Sequence, residues 1–159
     1  MSFRPDVTVA AVIERAGHFL LVEERAARRI VINQPAGHLE KDETLAEAAV
    51  RETFEETGFR FRPQAVTGIY LWHNPEIDRS FLRVAFCGEA LDPEPDARLD
   101  RCIVRVSWYT REQLAGRPNV MRSPLVLRCI DDYLAGQRYP LGLLASVGND
   151  IPATLTALA

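Results

Sequence analysis

The stretch "TLAEAAVRETFEETG", which begins at Thr44, carries a helix boundary signal at each end and constrains the fold more than any other part of the chain. Thr44 followed three residues later by Glu47 is typical of a capping box, so a helix is predicted to begin at Leu45. Gly58 suits the left-handed conformation that ends many helices, so Thr57 is predicted to be the last helical residue. The fold must therefore accommodate one well-defined helix of about three and a half turns.

Three acidic side chains converge on this helix. With about 100° of rotation per residue, Glu52, Glu55 and Glu56 fall within an arc of roughly 100°. The adjacent arc is predicted to face the core and contains Ala46, Ala49, Val50, Thr53 and Phe54. Unpaired like charges at this spacing repel, and Arg51 is the only cation on the helix. Mg²⁺ or Mn²⁺ would remove the repulsion, because both ions prefer oxygen ligands. A solvated acidic face is the alternative, and the helix alone does not decide between them.

The rest of the chain predicts strands and a second helix around this element. Strand character is found at 7–13, 18–24, 29–37 with an interruption at Pro35, 65–72, 80–91 and 102–110. The Pro- and Asp-rich residues 91–100 are predicted to form a loop. A second helix is predicted over about 124–135, with Ser123 as N-cap and Pro124 as first residue. We therefore predict a single α/β domain over residues 1–159, in which a mixed β-sheet is sandwiched between α-helices.

Composition narrows the functional classes. The net charge of −3 and the pI near 5.6 argue against a surface for a nucleic acid polymer. The apolar run near the N-terminus is closed by Glu14 and is too short for a signal peptide or a membrane span. Cys87, Cys102 and Cys129 are widely spaced and are predicted to be buried and unpaired, in a cytoplasmic protein. The apolar residues 142–159 are predicted to form a docked tail or a partner contact.

The residues around the glutamates follow a longer pattern. The matching glycine and polar positions are Gly37, Glu43, Arg51, Glu52, Glu55, Glu56 and Gly58. Their spacing resembles the Nudix box, Gly-x5-Glu-x7-Arg-Glu-U-x-Glu-Glu-x-Gly-U, in which U is a bulky apolar residue. A chance match is on the order of one in a hundred million per register, given background frequencies of about 5–7% for each position. The one departure is Thr53, which stands where the family usually has an aliphatic residue. Its hydroxyl can bond back to the Ala49 carbonyl.

The resemblance implies the Nudix fold and a hydrolase that depends on Mg²⁺, for which Mn²⁺ could substitute. It implies that the Gly37 carbonyl and the carboxylates of Glu52, Glu55 and Glu56 bind the metal. One of these glutamates, or an acid from a later loop, would activate the attacking water. Asp100 is our candidate for the later acid, and the alternative is an aspartate that only makes a turn.

Three further residues of the box are predicted to be structural. Glu43 and Arg51 are expected to pair and to fasten the loop before the helix to the helix itself. Gly58 is expected to end the helix. The metal site would then rest on a scaffold built from the same motif.

Stretches outside the box resemble the phosphatase NudJ branch of the Nudix hydrolases. They are "NQPAGHLE", "FLR" and "RSPLV…GQRYPL", and the similarity spans about residues 3–141. The resemblance implies release of orthophosphate from nucleoside di- and triphosphates, thiamine diphosphate and hydroxymethylpyrimidine diphosphate. Two alternatives stay open. One is a nucleoside triphosphate or ADP-ribose pyrophosphohydrolase of the same fold, and the other is a non-catalytic Nudix domain that senses a nucleotide.

A small phosphorylated substrate requires cations and a flat surface. Arg83, on a predicted strand, and Arg28, just before one, are candidates for phosphate binding, although either could be an ordinary surface arginine. Trp72 ends a strand and could stack on a heterocycle, or it could simply pack there. The oligomeric state expected from the sequence is a monomer or a small homo-oligomer.

Overall fold

The computed structural model describes residues 3–148. The strands are β1 (Asp6–Arg15), β2 (His18–Ala26), β3 (Arg29–Asn33), β4 (Ala36–His38), β5 (Phe61–Asn74), β6 (Arg79–Ala90) and β7 (Ile103–Tyr109). The helices are α1 (Leu45–Thr57), α2 (Arg111–Ala115) and α3 (Leu125–Leu134). Two short 3₁₀ helices cover Pro118–Val120 and Leu141–Leu143. Pro35 separates β3 from β4, which confirms the interruption expected there.

The strands form one mixed sheet with a helical layer on each face, as predicted. The order is β3-β2-β1-β6-β5, with β4 paired to β1 and β7 paired to β2. The β1–β6 pair is parallel and the other pairs are antiparallel. Residues of β1 alternate between two core clusters: Val9 and Ala11 join the α1 side, whereas Ala10 and Val12 join the α3 side. A central strand buried on both faces explains why its sequence is almost continuously apolar.

Both predicted ends of α1 are confirmed. The Thr44 hydroxyl accepts from the Glu47 amide at 3.1 Å, and the Glu47 carboxylate accepts from the Thr44 amide at 2.8 Å. Gly58 ends the helix with φ 74°. The expected bond from the Thr53 hydroxyl to the Ala49 carbonyl is present at 2.7 Å. Thr53 therefore satisfies its hydroxyl while it is fully buried.

The predicted core face of α1 was partly wrong. Its buried residues are Ala48, Ala49, Thr53, Glu56 and Thr57, whereas Ala46, Val50 and Phe54 are only partly buried. The buried arc is therefore rotated toward the acidic residues, and Glu56 lies near its centre. The rotation arises because α1 is covered by β4 as well as by the larger strands of the sheet.

Other details also differ from the predictions. The short helix α2 was missed, although Thr110 and Gln113 form a capping box like the one that identified α1. Helix α3 begins one residue later than predicted, with Pro124 at the N-cap position, while the Ser123 hydroxyl accepts from the Leu125 amide at 3.3 Å. Cys102 is exposed, contrary to expectation, because it lies in the turn that leads into β7.

The chain after α3 returns to the sheet. Tyr139 pairs with Val66 of β5, and Leu141 and Leu144 pack against the core cluster on the α1 side. The prediction of a docked tail or partner contact concerned 142–159, of which 149–159 lie outside the described residues. Between residues 3 and 148, no helix is both long enough and apolar enough to span a membrane.

Replacing Gly58 by Ala is expected to destabilise the fold by about 1–2 kcal/mol, because a left-handed residue would gain a side chain. A Cβ at this position would also lie 3.0 Å from the Ala97 Cβ. Gly17→Ala is the matched control, since Gly17 has φ +79° but no heavy atom within 4 Å of the position that a Cβ would occupy. Urea unfolding should show the larger loss for Gly58→Ala, and equal losses would refute the contact with Ala97.

Candidate active site

Arg51 fastens α1 to the segment that follows β4. Its Nε and Nη2 donate to the two carboxylate oxygens of Glu43 at 3.0 and 2.8 Å, and Nη2 also donates to the His38 carbonyl at 3.0 Å. The predicted Glu43–Arg51 pair is therefore present. The hydrogen bond from Arg51 holds the pKa of Glu43 below its ordinary value, and the same bond raises the pKa of Arg51. A bidentate pair of this kind fixes the orientation of both side chains.

The remaining Arg51 nitrogen reaches the acidic cluster. Nη1 donates to Glu52 Oε1 at 2.8 Å and to Glu55 Oε2 at 3.1 Å. The repulsion expected between the glutamates is therefore partly offset by Arg51, which was expected only to pair with Glu43. One guanidinium can serve all three carboxylates because its five donors project in a planar fork.

Gly37 lies directly against Glu52. A Cβ at position 37 would fall 2.0 Å from Glu52 Oε1, so only glycine fits beside this carboxylate. The Glu52 side chain is only 12% exposed. Burial raises the pKa of Glu52, while the hydrogen bond from Arg51 acts in the opposite direction. This close approach places β4 next to the acidic residues of α1.

Three carboxylates come together beside the C-terminal half of α1. Glu52, Glu55 and Asp100 each offer an oxygen, and these atoms lie within 4.8 Å of one another. The Asp100 amide donates to the Glu55 carbonyl at 2.9 Å, and the Asp100 carbonyl accepts from the Ile103 amide at 3.0 Å. The turn that we considered as the alternative role of Asp100 is therefore present. The hydrogen bond from the Asp100 amide to Glu55 holds this turn against α1.

Glu56 faces inward and is not part of that cluster. It is 4% exposed, and its Oε2 accepts from the Ala36 amide at 2.9 Å. The pKa of Glu56 is raised to about 9, mainly by burial and with a further contribution from the negative charges of Glu24, Glu52 and Asp100. Without a bound cation, Glu56 therefore holds a proton at neutral pH.

Glu24 is an acid of this site that was not predicted from the sequence. Its side chain is 14% exposed, and its Oε1 accepts from Asn33 Nδ2 at 3.3 Å and lies 3.4 Å from Arg122 Nε. The signal was its position on β2, two residues after Val22 and four after Leu20, on the same face of the strand as these two buried residues. An acidic residue that continues an apolar face is buried by the fold and requires partners.

The candidate substrate residues lie in different surroundings. Arg83 of β6 is 7% exposed, and its Nη1 donates to Gln34 Oε1 at 3.4 Å. Trp72 of β5 is partly exposed and stacks on Phe81, with ring centroids 5.7 Å apart. Arg28 is exposed in the turn between β2 and β3. The β2–β3 register places that turn two residue pairs beyond Glu24, so Arg28 is at the periphery of the acidic site.

Similarity to known proteins agrees with this geometry. A family model described as the NUDIX domain matches residues 2–127. The chain is 44% identical over 142 residues to phosphatase NudJ of Escherichia coli (strain K12), which covers 89% of this chain and 92% of that protein. A NUDIX hydrolase structure from Nitrosomonas europaea superposes with a TM-score of 0.88 at 45% identity, over 91% of this chain and 98% of that one. A MutT NUDIX hydrolase from Burkholderia pseudomallei, at 19% identity and a TM-score of 0.70 over 81% of this chain and 98% of that one, shares the fold.

Gly37→Ala is expected to displace the Glu52 carboxylate, because the new methyl group would occupy its position. Affinity for Mn²⁺, measured by electron paramagnetic resonance, should fall at least tenfold. Gly142→Ala is the control, since nothing lies within 4 Å of a Cβ at that position. Wild-type Mn²⁺ affinity in Gly37→Ala would show that Glu52 does not contribute to cation binding.

The raised pKa of Glu56 predicts a pH-dependent stability in EDTA. Below the unfolded pKa of about 4.5, both states hold the proton and Glu56 contributes no pH dependence. Between that value and about 9, the unfolded state ionises while the folded state keeps the proton, so stability falls as pH rises. Urea midpoints of Glu56→Gln should fall less steeply over this window than those of the wild type. Glu76→Gln, at an exposed loop position, controls for the charge change. Parallel slopes for Glu56→Gln and wild type would contradict the assignment.

Proposed function

Because the chain belongs to the Nudix family and is a hydrolase of phosphoanhydride bonds, we propose that it releases orthophosphate from small organic di- and triphosphates. The proposed substrates are nucleoside di- and triphosphates, thiamine diphosphate and hydroxymethylpyrimidine diphosphate. The observation that carries this proposal is the convergence of Glu52, Glu55 and Asp100 beside Gly37. The phosphatase relative from Escherichia coli supports orthophosphate as the product. We further propose a cytoplasmic enzyme that acts on no nucleic acid polymer and at no membrane.

We propose Mg²⁺ as the cofactor, with Mn²⁺ as a substitute. The donor set fits a hard divalent cation, because the clustered atoms are all carboxylate oxygens. Glu52, Glu55 and Asp100 would hold the ion, with the Gly37 carbonyl and Glu56 completing the set implied by the Nudix box. Bound there, the ion would polarise the phosphate oxygens and lower the pKa of a coordinated water.

The protein's own residues prepare this chemistry. Arg51 orients Glu52 and Glu55 through one nitrogen and anchors them to the rigid Glu43 contact through the others. We assign proton transfer to Glu56, because the Ala36 amide fixes the orientation of its carboxylate. The proton that Glu56 holds when no cation is near must leave before it can act as a base.

We propose that Arg83 binds a substrate phosphate and that Trp72 stacks on the heterocycle. A buried guanidinium favours an anion, and the ring face of Trp72 that is not against Phe81 offers a flat surface. Arg28 would contribute a peripheral contact to a phosphate, since its exposed side chain follows the strand that carries Glu24. These three residues would account for affinity rather than for bond cleavage.

The proposal is tested by measuring phosphate and pyrophosphate release with Mg²⁺ from nucleotides, thiamine diphosphate and ADP-ribose. Orthophosphate release from diphosphates is expected, and Glu55→Gln and Glu56→Gln should each lower kcat at least a hundredfold, while Glu76→Gln should not. Release of pyrophosphate or of a mononucleotide would instead identify a pyrophosphohydrolase. Wild-type rates in both active-site variants would refute the assignment of the site.

A further inference from the structure

We propose that Thr8 and Arg83 together form a buried subsite for a phosphate oxygen of the substrate, and that the Thr8 hydroxyl is a determinant of its affinity. The inference rests on the proposed function. It adds Thr8, which lies outside the Nudix box. Its basis is a pair of buried polar atoms, Thr8 Oγ1 and Arg83 Nε, that have no hydrogen-bond partner within residues 3–148.

Thr8 and Arg83 are direct neighbours in the sheet. They are paired in the parallel β1–β6 register, so both side chains project from the same face. This is the α3 face, because Ala10 and Ala85, two residues further along the same strands, belong to the core cluster on that side. Thr8 is 6% exposed and Arg83 is 7% exposed. Both polar groups are therefore removed from bulk solvent.

Neither side chain is fully satisfied among the described residues. Thr8 Oγ1 and Arg83 Nε are buried without a hydrogen-bond partner. The bond from Arg83 to Gln34 is 3.4 Å, which is long for an N–H donor. Buried polar groups in folded proteins are almost always paired, and a buried cation without a carboxylate is especially costly. Two adjacent unpaired polar groups on one face of the sheet indicate a site where a ligand would supply the missing hydrogen-bond partners.

The nearby polar groups are already committed elsewhere. Gln34 Nε2 donates to the Val126 carbonyl at 2.7 Å, which fixes its amide. Asp132 of α3 accepts from the hydroxyl of Tyr70 on β5 at 2.9 Å and from Arg128 Nε at 2.8 Å. These contacts engage the Asp132 carboxylate with partners other than Arg83. The guanidinium consequently keeps its charge available for an anion that comes from outside.

The subsite adjoins the catalytic carboxylates. Burial lowers the pKa of Arg83, while Glu24 and Glu56, when ionised, act on it in the raising direction. The Ala36 amide that holds Glu56 is two residues from Gln34, the hydrogen-bond partner of Arg83. An anion bound at Thr8 and Arg83 would therefore be part of the molecule whose phosphoanhydride lies at the carboxylates. A substrate phosphate has the charge and the acceptor oxygens for this position.

The test uses Thr8→Val, which removes the hydroxyl and retains the branched shape, and Thr8→Ser, which retains the hydroxyl. Thr67→Val is the matched control, because Thr67 is a fully buried threonine whose hydroxyl also lacks a partner but lies in the β5 bulge, away from Arg83. Binding of methylenediphosphonate, which cannot be hydrolysed, is measured by calorimetry with Mg²⁺. Urea midpoints are measured in parallel.

Thr8→Val is expected to weaken methylenediphosphonate binding about tenfold and to raise KM similarly with kcat within twofold, because one hydrogen bond to a charged group is lost. Thr8→Ser and Thr67→Val should bind like the wild type. The urea midpoint should not fall in either valine variant, since neither removes a hydrogen bond made within the protein. Equal affinity in Thr8→Val and Thr67→Val, or no binding by the wild type, would overturn the subsite. Wild-type protein that binds the analogue but hydrolyses no substrate would refute the proposed function alone.

Discussion

The hydrogen bonds of Arg51 are the interaction on which the rest of the site depends. A single guanidinium joins Glu43 and the His38 carbonyl, which precede α1, to Glu52 and Glu55 on the helix itself. The loop, the helix and two acidic side chains are thereby fixed relative to one another. The arginine is permanently charged and presents planar donors that match the carboxylates. The acidic face can then persist as an organised surface even when only the protein's own charges are present.

The burial of the carboxylates gives this surface its chemical character. Arg51 offsets the charge of Glu52 and Glu55, but Glu56 lies beneath them, where its hydrogen bond comes from a neutral amide. Desolvation is therefore the largest influence on the pKa of Glu56 and raises it. When no cation is bound, a proton neutralises the Glu56 carboxylate. A divalent cation would displace that proton, so cation binding and proton release are linked. Burial also lowers the pKa of Arg83, which lies on the α3 face of the sheet. The protein thus holds unsatisfied charges of both signs close to one another, at the expense of its own stability.

Local signals were read correctly where a few neighbouring residues decide the structure. The ends of α1 and the bond from Thr53 to Ala49 depend on contacts no more than four residues apart. Helix α2, which was not predicted, has an equally clear capping box, so the sequence contained the signal needed to predict it. The helical wheel failed for a different reason. It assumes one buried face, whereas α1 is covered by both the main sheet and β4, which places Glu56 at the centre of the buried arc.

By itself, the sequence determined the helix and the family, because these depend on residue spacing along a short segment. Only the tertiary structure decided which acids share a site. It brought Asp100 to Glu52 and Glu55 through a turn at the far end of a loop, and it placed Glu24 from β2 beside the buried Glu56. It also paired Thr8 with Arg83, on strands separated by about half of the chain. Such contacts follow from strand register and packing between distant segments, and residue spacing along the chain carries no information about them.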